Sequence, residues 1–181
     1  MKQSESYLCA MFYKWLFLFS LLPACLWAQT SHTAQLYKEN KLWGLKLINP
    51  ITPAVYDTLI PISKTNLFIA KKHGKGFNST GVITDKGKVT IPFSYLQITP
   101  NGKYYIISKW EHNTVVQGVV SSANKIILSL RFNEIKRFNN FWIASTFAEE
   151  LQLFDVAGNL INSINADSVS ITANNQYLLV H

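Results

Sequence analysis

Four histidines, His32, His73, His112 and His181, are the side chains best suited to hold a metal or move a proton. A zinc site needs three or four converging ligands. None of these histidines has a second ligand at metal-site spacing, apart from the adjacent Glu111-His112 pair. Neighbours on a strand point to opposite faces, so that pair cannot readily share one ion. Lys71-Lys72-His73-Gly74-Lys75-Gly76 has the outline of a phosphate loop. It lacks Walker spacing, and no helix pattern follows to supply amide donors, so it reads as a basic hairpin tip. Glu149-Glu150 is the one adjacent carboxylate pair. Glycosidic chemistry needs two carboxylates facing across a cleft, which a loop pair does not give. Serines are plentiful, but no Gly-x-Ser-x-Gly elbow occurs. Asp57-Thr58-Leu59 and Asp167-Ser168-Val169 match a short bacterial O-glycosylation acceptor and read by default as strand ends. The residues therefore predict no catalytic group, no metal and no cofactor.

Aromatic side chains offer a different chemistry, that of stacking on sugars or on a partner chain. Phe68, Tyr104, Tyr105, Phe141, Trp142 and Tyr177 return at equivalent positions along the chain. As core they would join one unit to the next. Within each pair the two residues alternate faces, which leaves one of them a candidate for exposure. Tyr105 and Trp142 are the candidate contacts of this kind. Trp110, outside the recurring pattern, is the better candidate for an exposed contact.

The elements that position these groups follow from a repeat. Leu67-Phe68-Ile69-Ala70 returns as Tyr104-Tyr105-Ile106-Ile107, as Phe141-Trp142-Ile143-Ala144 and as Tyr177-Leu178-Leu179-Val180, in steps of 37, 37 and 36 residues. A fixed period marks modules that bury their apolar faces against their neighbours. A glycine precedes an apolar residue in the same register, in Trp43-Gly44-Leu45, Thr80-Gly81-Val82 and Gln117-Gly118-Val119. Turns follow at Asn49-Pro50, Asp85-Lys86-Gly87-Lys88, Ala123-Asn124-Lys125 and Asp155-Val156-Ala157-Gly158-Asn159. Next come Thr52–Tyr56, Ile91–Tyr95 and Leu128–Phe132. Pro53 and Pro92 lack a backbone donor and place this strand at an edge or a bulge. Asparagine turns at Asn66, Asn101-Gly102, Asn139-Asn140 and Asn174-Asn175 close each unit. The pattern predicts about three short strands per unit and an all-β fold: four tandem antiparallel β-repeats, with units near 34–66, 67–103, 104–140 and 141–181. An open solenoid-like stack is favoured over a small propeller-like ring, since the end units are the degenerate ones. Ser145–Leu151 fits either one helical turn or a hairpin loop.

Trp-Gly-aliphatic, a turn, then aliphatic-x-Ile/Thr-Pro and a tyrosine resembles the WG-repeat (KWG-repeat) family. The first unit keeps Trp43, Gly44, Pro53 and Tyr56. The second keeps Gly81, Asp85, Gly87, Pro92 and Tyr95, with Thr80 for the tryptophan. The third keeps Gly118 and Phe132, with Gln117 for the tryptophan, and the fourth keeps only the turn. The resemblance implies a bacterial β-repeat array without catalytic chemistry and lends no functional residues.

Residues 1–28 read apart from the fold. Lys2 and Lys14 precede the apolar run Trp15–Leu22, then Pro23 and the small Ala24 and Ala28. This order predicts a secretory signal peptide, too short and too broken for a bilayer span of about 20 residues. A cut after Ala28 is favoured. The alternative is a lipobox, Leu22-Pro23-Ala24-Cys25, with Cys25 lipidated. Export to the periplasm, cell surface or medium follows, or an outer-membrane lipoprotein if Cys25 is acylated. Both cysteines, Cys9 and Cys25, lie in this segment, so the body of 29–181 has no disulfide. Between Gln29 and Asn140 stand fifteen bases and five acids, net +10; beyond Asn140 there are four acids and no Lys or Arg. The lysines are scattered, which fits guarded strand edges and speaks against nucleic acid. The expected function is a non-catalytic interaction module of the bacterial envelope, with a protein partner. The alternative is a carbohydrate-binding module on an envelope glycan. Membrane contact is expected only through a lipid on Cys25.

Overall fold

The computed structural model describes residues 34–73, 78–165, 169–171 and 178–180. The signal peptide, the Ala28 cut, Cys25, His32, the Gly74–Gly76 tip, Asp167-Ser168, Tyr177 and His181 lie outside them. The chain divides into two compact units, Met1–His32 and Thr33–His181, and every described residue belongs to the second.

That unit is all-β, with no helix among the described residues. The strands are β1 (Gln35–Glu39), β2 (Leu42–Lys46), β3 (Thr58–Pro61), β4 (Leu67–His73), β5 (Asn78–Thr84), β6 (Val89–Tyr95), β7 (Gln97–Asn101) and β8 (Tyr104–Glu111). Then follow β9 (Thr114–Ser121), β10 (Ile126–Phe132), β11 (Glu134–Phe138), β12 (Phe141–Ser145), β13 (Glu150–Asp155), β14 (Leu160–Asn165), β15 (Val169–Ile171) and β16 (Leu178–Val180). Three four-stranded antiparallel meanders, β3–β6, β7–β10 and β11–β14, are bracketed by the two-stranded sheets β1–β2 and β15–β16. The tandem antiparallel repeat expected from the period is therefore present.

A complete sheet has four strands, not three. The additional strand is β3, β7 or β11, carrying Leu59, Ile98 or Ile135. Each is short, with a single buried aliphatic residue, and β3 and β7 carry Pro61 and Pro100. That is too little alternation to mark a strand in sequence. Sheet and sequence repeat are also out of phase: the boundaries at 66/67, 103/104 and 140/141 fall in the turns between a sheet's first and second strands. Thr52–Tyr56 forms no regular strand and keeps one bridge, Trp43 to Tyr56. Pro92 lies on β6, an edge strand with two register shifts, as a missing donor requires. Ser145–Leu151 is a hairpin: Thr146 N–H donates to the Glu150 carbonyl at 2.9 Å.

The core lies between consecutive sheets. Leu45, Tyr56, Leu59, Phe68 and Ile83 pack between β1–β2 and β3–β6. Val82, Ile91, Ile98, Tyr105 and Val120 fill the next interface. Tyr104, Val119, Phe132, Trp142 and Phe154 fill the third. Strand alternation sends Phe68, Tyr105 and Trp142 toward the preceding sheet, and Leu67 and Tyr104 toward the following one. The 37-residue spacing is thus a packing period.

The repeat glycines are needed for space, since none of the three has positive φ. A Cβ on Gly81 would lie 2.9 Å from the Ile91 carbonyl oxygen, and one on Gly118 would lie 2.9 Å from that of Leu128. The outer strand bulges across the glycine here, with register shifts in both β5–β6 and β9–β10. In the fourth unit Gln152 takes this position, opposite Ala144, and β14 keeps a more regular ladder with one shift.

The residue before each glycine ties one sheet to the start of the next. Trp43 does so through its backbone, its N–H donating to the Tyr56 carbonyl at 2.7 Å. Thr80 is fully buried, and its hydroxyl donates to the Leu96 carbonyl at 3.0 Å. Gln117 accepts from the Ile135 N–H through its side-chain oxygen at 2.9 Å. The backbone pairing with the aromatic is kept in all three units, as Trp43–Tyr56, Thr80–Tyr95 and Gln117–Phe132, and the polar side chains of the second and third add a further bond. Thr80→Val keeps the shape but strips the Leu96 carbonyl of this donor. It is expected to destabilise the protein by about 1–2 kcal/mol, read as a lower urea midpoint at unchanged slope.

Candidate interaction surface

In a four-stranded meander the first and third connections share one end, and the second connection lies at the other. The second connections are the hairpin tips β4–β5, β8–β9 and β12–β13. In register, Leu67 faces Thr84 and Tyr104 faces Ser121, both 17 residues apart in sequence, whereas Phe141 faces Asp155, 14 apart. The fourth hairpin is three residues shorter than its neighbours.

Trp110 sits near the β8–β9 tip opposite Val115, just before the His112-Asn113 turn, where both residues have positive φ. Alternation places it on the face of Tyr104 and Ile106, toward the fourth sheet. Trp110 is 50% exposed there, and His73 is exposed at the same place on β4, 37 residues earlier. The β12–β13 tip presents its own aromatic, Phe147, 52% exposed. Glu149 and Glu150 share that tip, and Lys109 bridges Glu111 beside Trp110 at 3.7 Å. Each tip thus carries an exposed aromatic with carboxylates close by in sequence.

The other two candidate contacts are corrected. Tyr105 is buried against Val82 and Ile98, and Trp142 is fully buried against Tyr104 and Phe154. A sheet with neighbours on both faces buries both residues of a pair, so Tyr104 and Tyr105 are inside together. Among the described residues the repeat positions do not present a row of exposed aromatics, the platform a sugar would need; only Phe141 of them is exposed. Burial raises the phenol pKa of Tyr56 and Tyr105 above the usual tyrosine value, which keeps both neutral. Phe147, which sequence reading missed, stands 37 residues after Trp110 and was legible as its repeat equivalent.

Little else at the surface has chemistry. Among the described residues no three His, Cys, Asp or Glu gather as metal ligands. His112 lies in the two-residue turn after Glu111. The Asp155 carboxylate is held below the usual carboxylate range, chiefly by the side-chain hydrogen bond from Asn159, with backbone N–H groups of its own turn adding to it. No helix of the described residues is long and apolar enough to cross a membrane.

No family model matches the chain, and no curated protein matches it. Solved structures similar to it include Kluyveromyces lactis Hsv2, at 9% identity and a TM-score of 0.47, covering 82% of this chain and 53% of that one. The computationally designed Ika8 protein is similar at 10% identity and a TM-score of 0.39, covering 81% and 56%. The chain spans about half the length of these structures.

Proposed function

We propose that this chain is a non-catalytic interaction module of the bacterial envelope, a divergent WG-repeat array that holds a protein partner at its hairpin tips. The observation that carries the reading is the exposed Trp110, beside the shortened hairpin that presents Phe147, in a molecule whose repeat-position aromatics are otherwise mostly core. Exposed aromatics with a charged surround are the common anchors of protein interfaces. Export through residues 1–28, with a cut after Ala28 or acylation at Cys25, places the module at the envelope. The carbohydrate reading has less support, because Tyr105 and Trp142 are not accessible.

The test is photo-crosslinking from position 110 in envelope extracts, followed by binding of the captured protein in purified form. Trp110→Ser with Phe147→Ser is expected to weaken that binding by about thirtyfold or more, a loss of roughly 2 kcal/mol, at unchanged thermal midpoint. Binding on a glycan array that vanishes in the same variant would replace the protein partner with a sugar.

A further inference from the structure

Meander geometry also sorts the charges. At the end opposite the hairpin tips lie the first and third turns of each sheet. Lys46, Lys64, Lys86, Lys88, Lys103 and Lys125 stand at this end. Its acids are Asp85 and Asp155. Asp85 accepts from Asn66, and Asp155 is occupied by the amides of its own turn. Glu39, Asp57, Glu111, Glu134, Glu149 and Glu150 all lie at the hairpin-tip end. The two ion pairs among the described residues, Lys109–Glu111 and Lys136–Glu134, are there too. Lysines stand at both ends, with Lys38, Lys41, Lys71, Lys72, Lys109 and Lys136 among six acids at the hairpin tips; at this end the six lysines meet only two acids among the described residues, both engaged by their own turns or by Asn66.

The same end shows one or two exposed aliphatic residues per unit, Leu47 and Ile161 being the second of theirs. Ile48 (91% exposed), Val89, Ile126 (68% exposed) and Leu160 occupy or follow the third turns of the successive units. Val89 and Ile126 directly follow Lys88 and Lys125. They are not failed core: the buried residue of each outer strand lies further on, at Ile91 and Leu128.

The geometry points to a membrane-facing end: the Lys-and-aliphatic turns bind the surface of an anionic lipid bilayer. Lysines lower their charge into the headgroup potential while short apolar side chains enter the acyl boundary, the combination that interfacial binding uses. A soluble polyanion would match the lysines but would give no reason for an exposed aliphatic beside them. This contact is separate from any lipid on Cys25 and from the Trp110 tip, so Trp110→Ser leaves it unmoved.

Hydrogen exchange on the full chain, with vesicles of phosphatidylcholine alone or mixed with phosphatidylglycerol, separates this contact from one made by residues 1–28. With anionic vesicles the turns at 47–50, 86–89 and 123–126 are expected to gain protection. The tip at 110–114 is expected to gain none, and neutral vesicles are expected to leave all of them unchanged. Lys88→Gln, Lys103→Gln and Lys125→Gln together are expected to lower the preference for anionic over neutral vesicles about a hundredfold, at about fivefold per lysine. Lys109→Gln with Lys136→Gln, at the other end, is expected to change it little. Ile48→Ser with Ile126→Ser keeps the charge and is expected to weaken the binding that survives high salt. Protection of the tips instead of the turns would overturn the inference. So would equal protection by neutral vesicles, or protection by heparin in solution but not by anionic vesicles.

Discussion

Trp142→Ala is expected to cost about 3–5 kcal/mol of folding stability. The indole is fully buried between the third and fourth sheets and meets the Tyr104 ring edge-on at 5.4 Å. Arg137 stacks over both rings at about 5 Å, so its guanidinium also loses a partner. A loss of this size is a large share of the roughly 5–15 kcal/mol that holds a domain together. Trp142→Phe should be milder, because the indole N–H finds no acceptor among the described residues and the change forfeits no hydrogen bond. Urea unfolding of the two variants reads both. A cost below about 1 kcal/mol for the alanine would mean that the sheets do not interleave across Trp142.

The second large effect concerns a residue with no side chain. Gly118→Ala adds a Cβ 2.9 Å from the Leu128 carbonyl oxygen and 3.1 Å from the Leu130 nitrogen and the Ser129 carbonyl carbon. All three are backbone atoms of β10, so no side chain can rotate away and the strand itself must move. The expected cost is about 2–3 kcal/mol, with the bulge of β10 displaced. Gly102 supplies the contrast. It has φ +61 in the β7–β8 turn, and nothing lies within 4 Å of an added Cβ. Gly102→Asn is expected to be nearly neutral, because asparagine tolerates the left-handed region. Equal costs at the two positions would show that conformation, not space, selects the repeat glycine.

These two residues show how much the chain discloses before it folds. Trp142 belongs to a 37-residue series with Phe68 and Tyr105, and the series alone marks it as part of a module. Whether it faces solvent depends on how many sheets cover it. The first strand of each sheet stayed hidden because β3, β7 and β11 each bury a single aliphatic residue, and period-two alternation needs more than one. The tryptophan lost from the second and third units looked like decay of the motif. The fold shows the Thr80 and Gln117 side chains adding a bond to the start of the next sheet, beyond the backbone pairing that all three units keep.

The sequence by itself determined the class of structure, because periodicity, glycine register and turn chemistry are local and survive being read one residue at a time. It set the all-β architecture, the repeat length, the edge position of Pro92 and the closing asparagine turns. The tertiary structure alone decided which aromatics are core, why Trp110 protrudes and which lysines stand together. Those outcomes depend on neighbours: a sheet stacked on both faces buries both tyrosines, and a tryptophan near a hairpin tip stands beyond the packed centre of the sheets. Strand direction, reversed at every turn, sends most carboxylates to the hairpin-tip end and leaves six lysines with two engaged acids at the other, an arrangement with no counterpart along the chain.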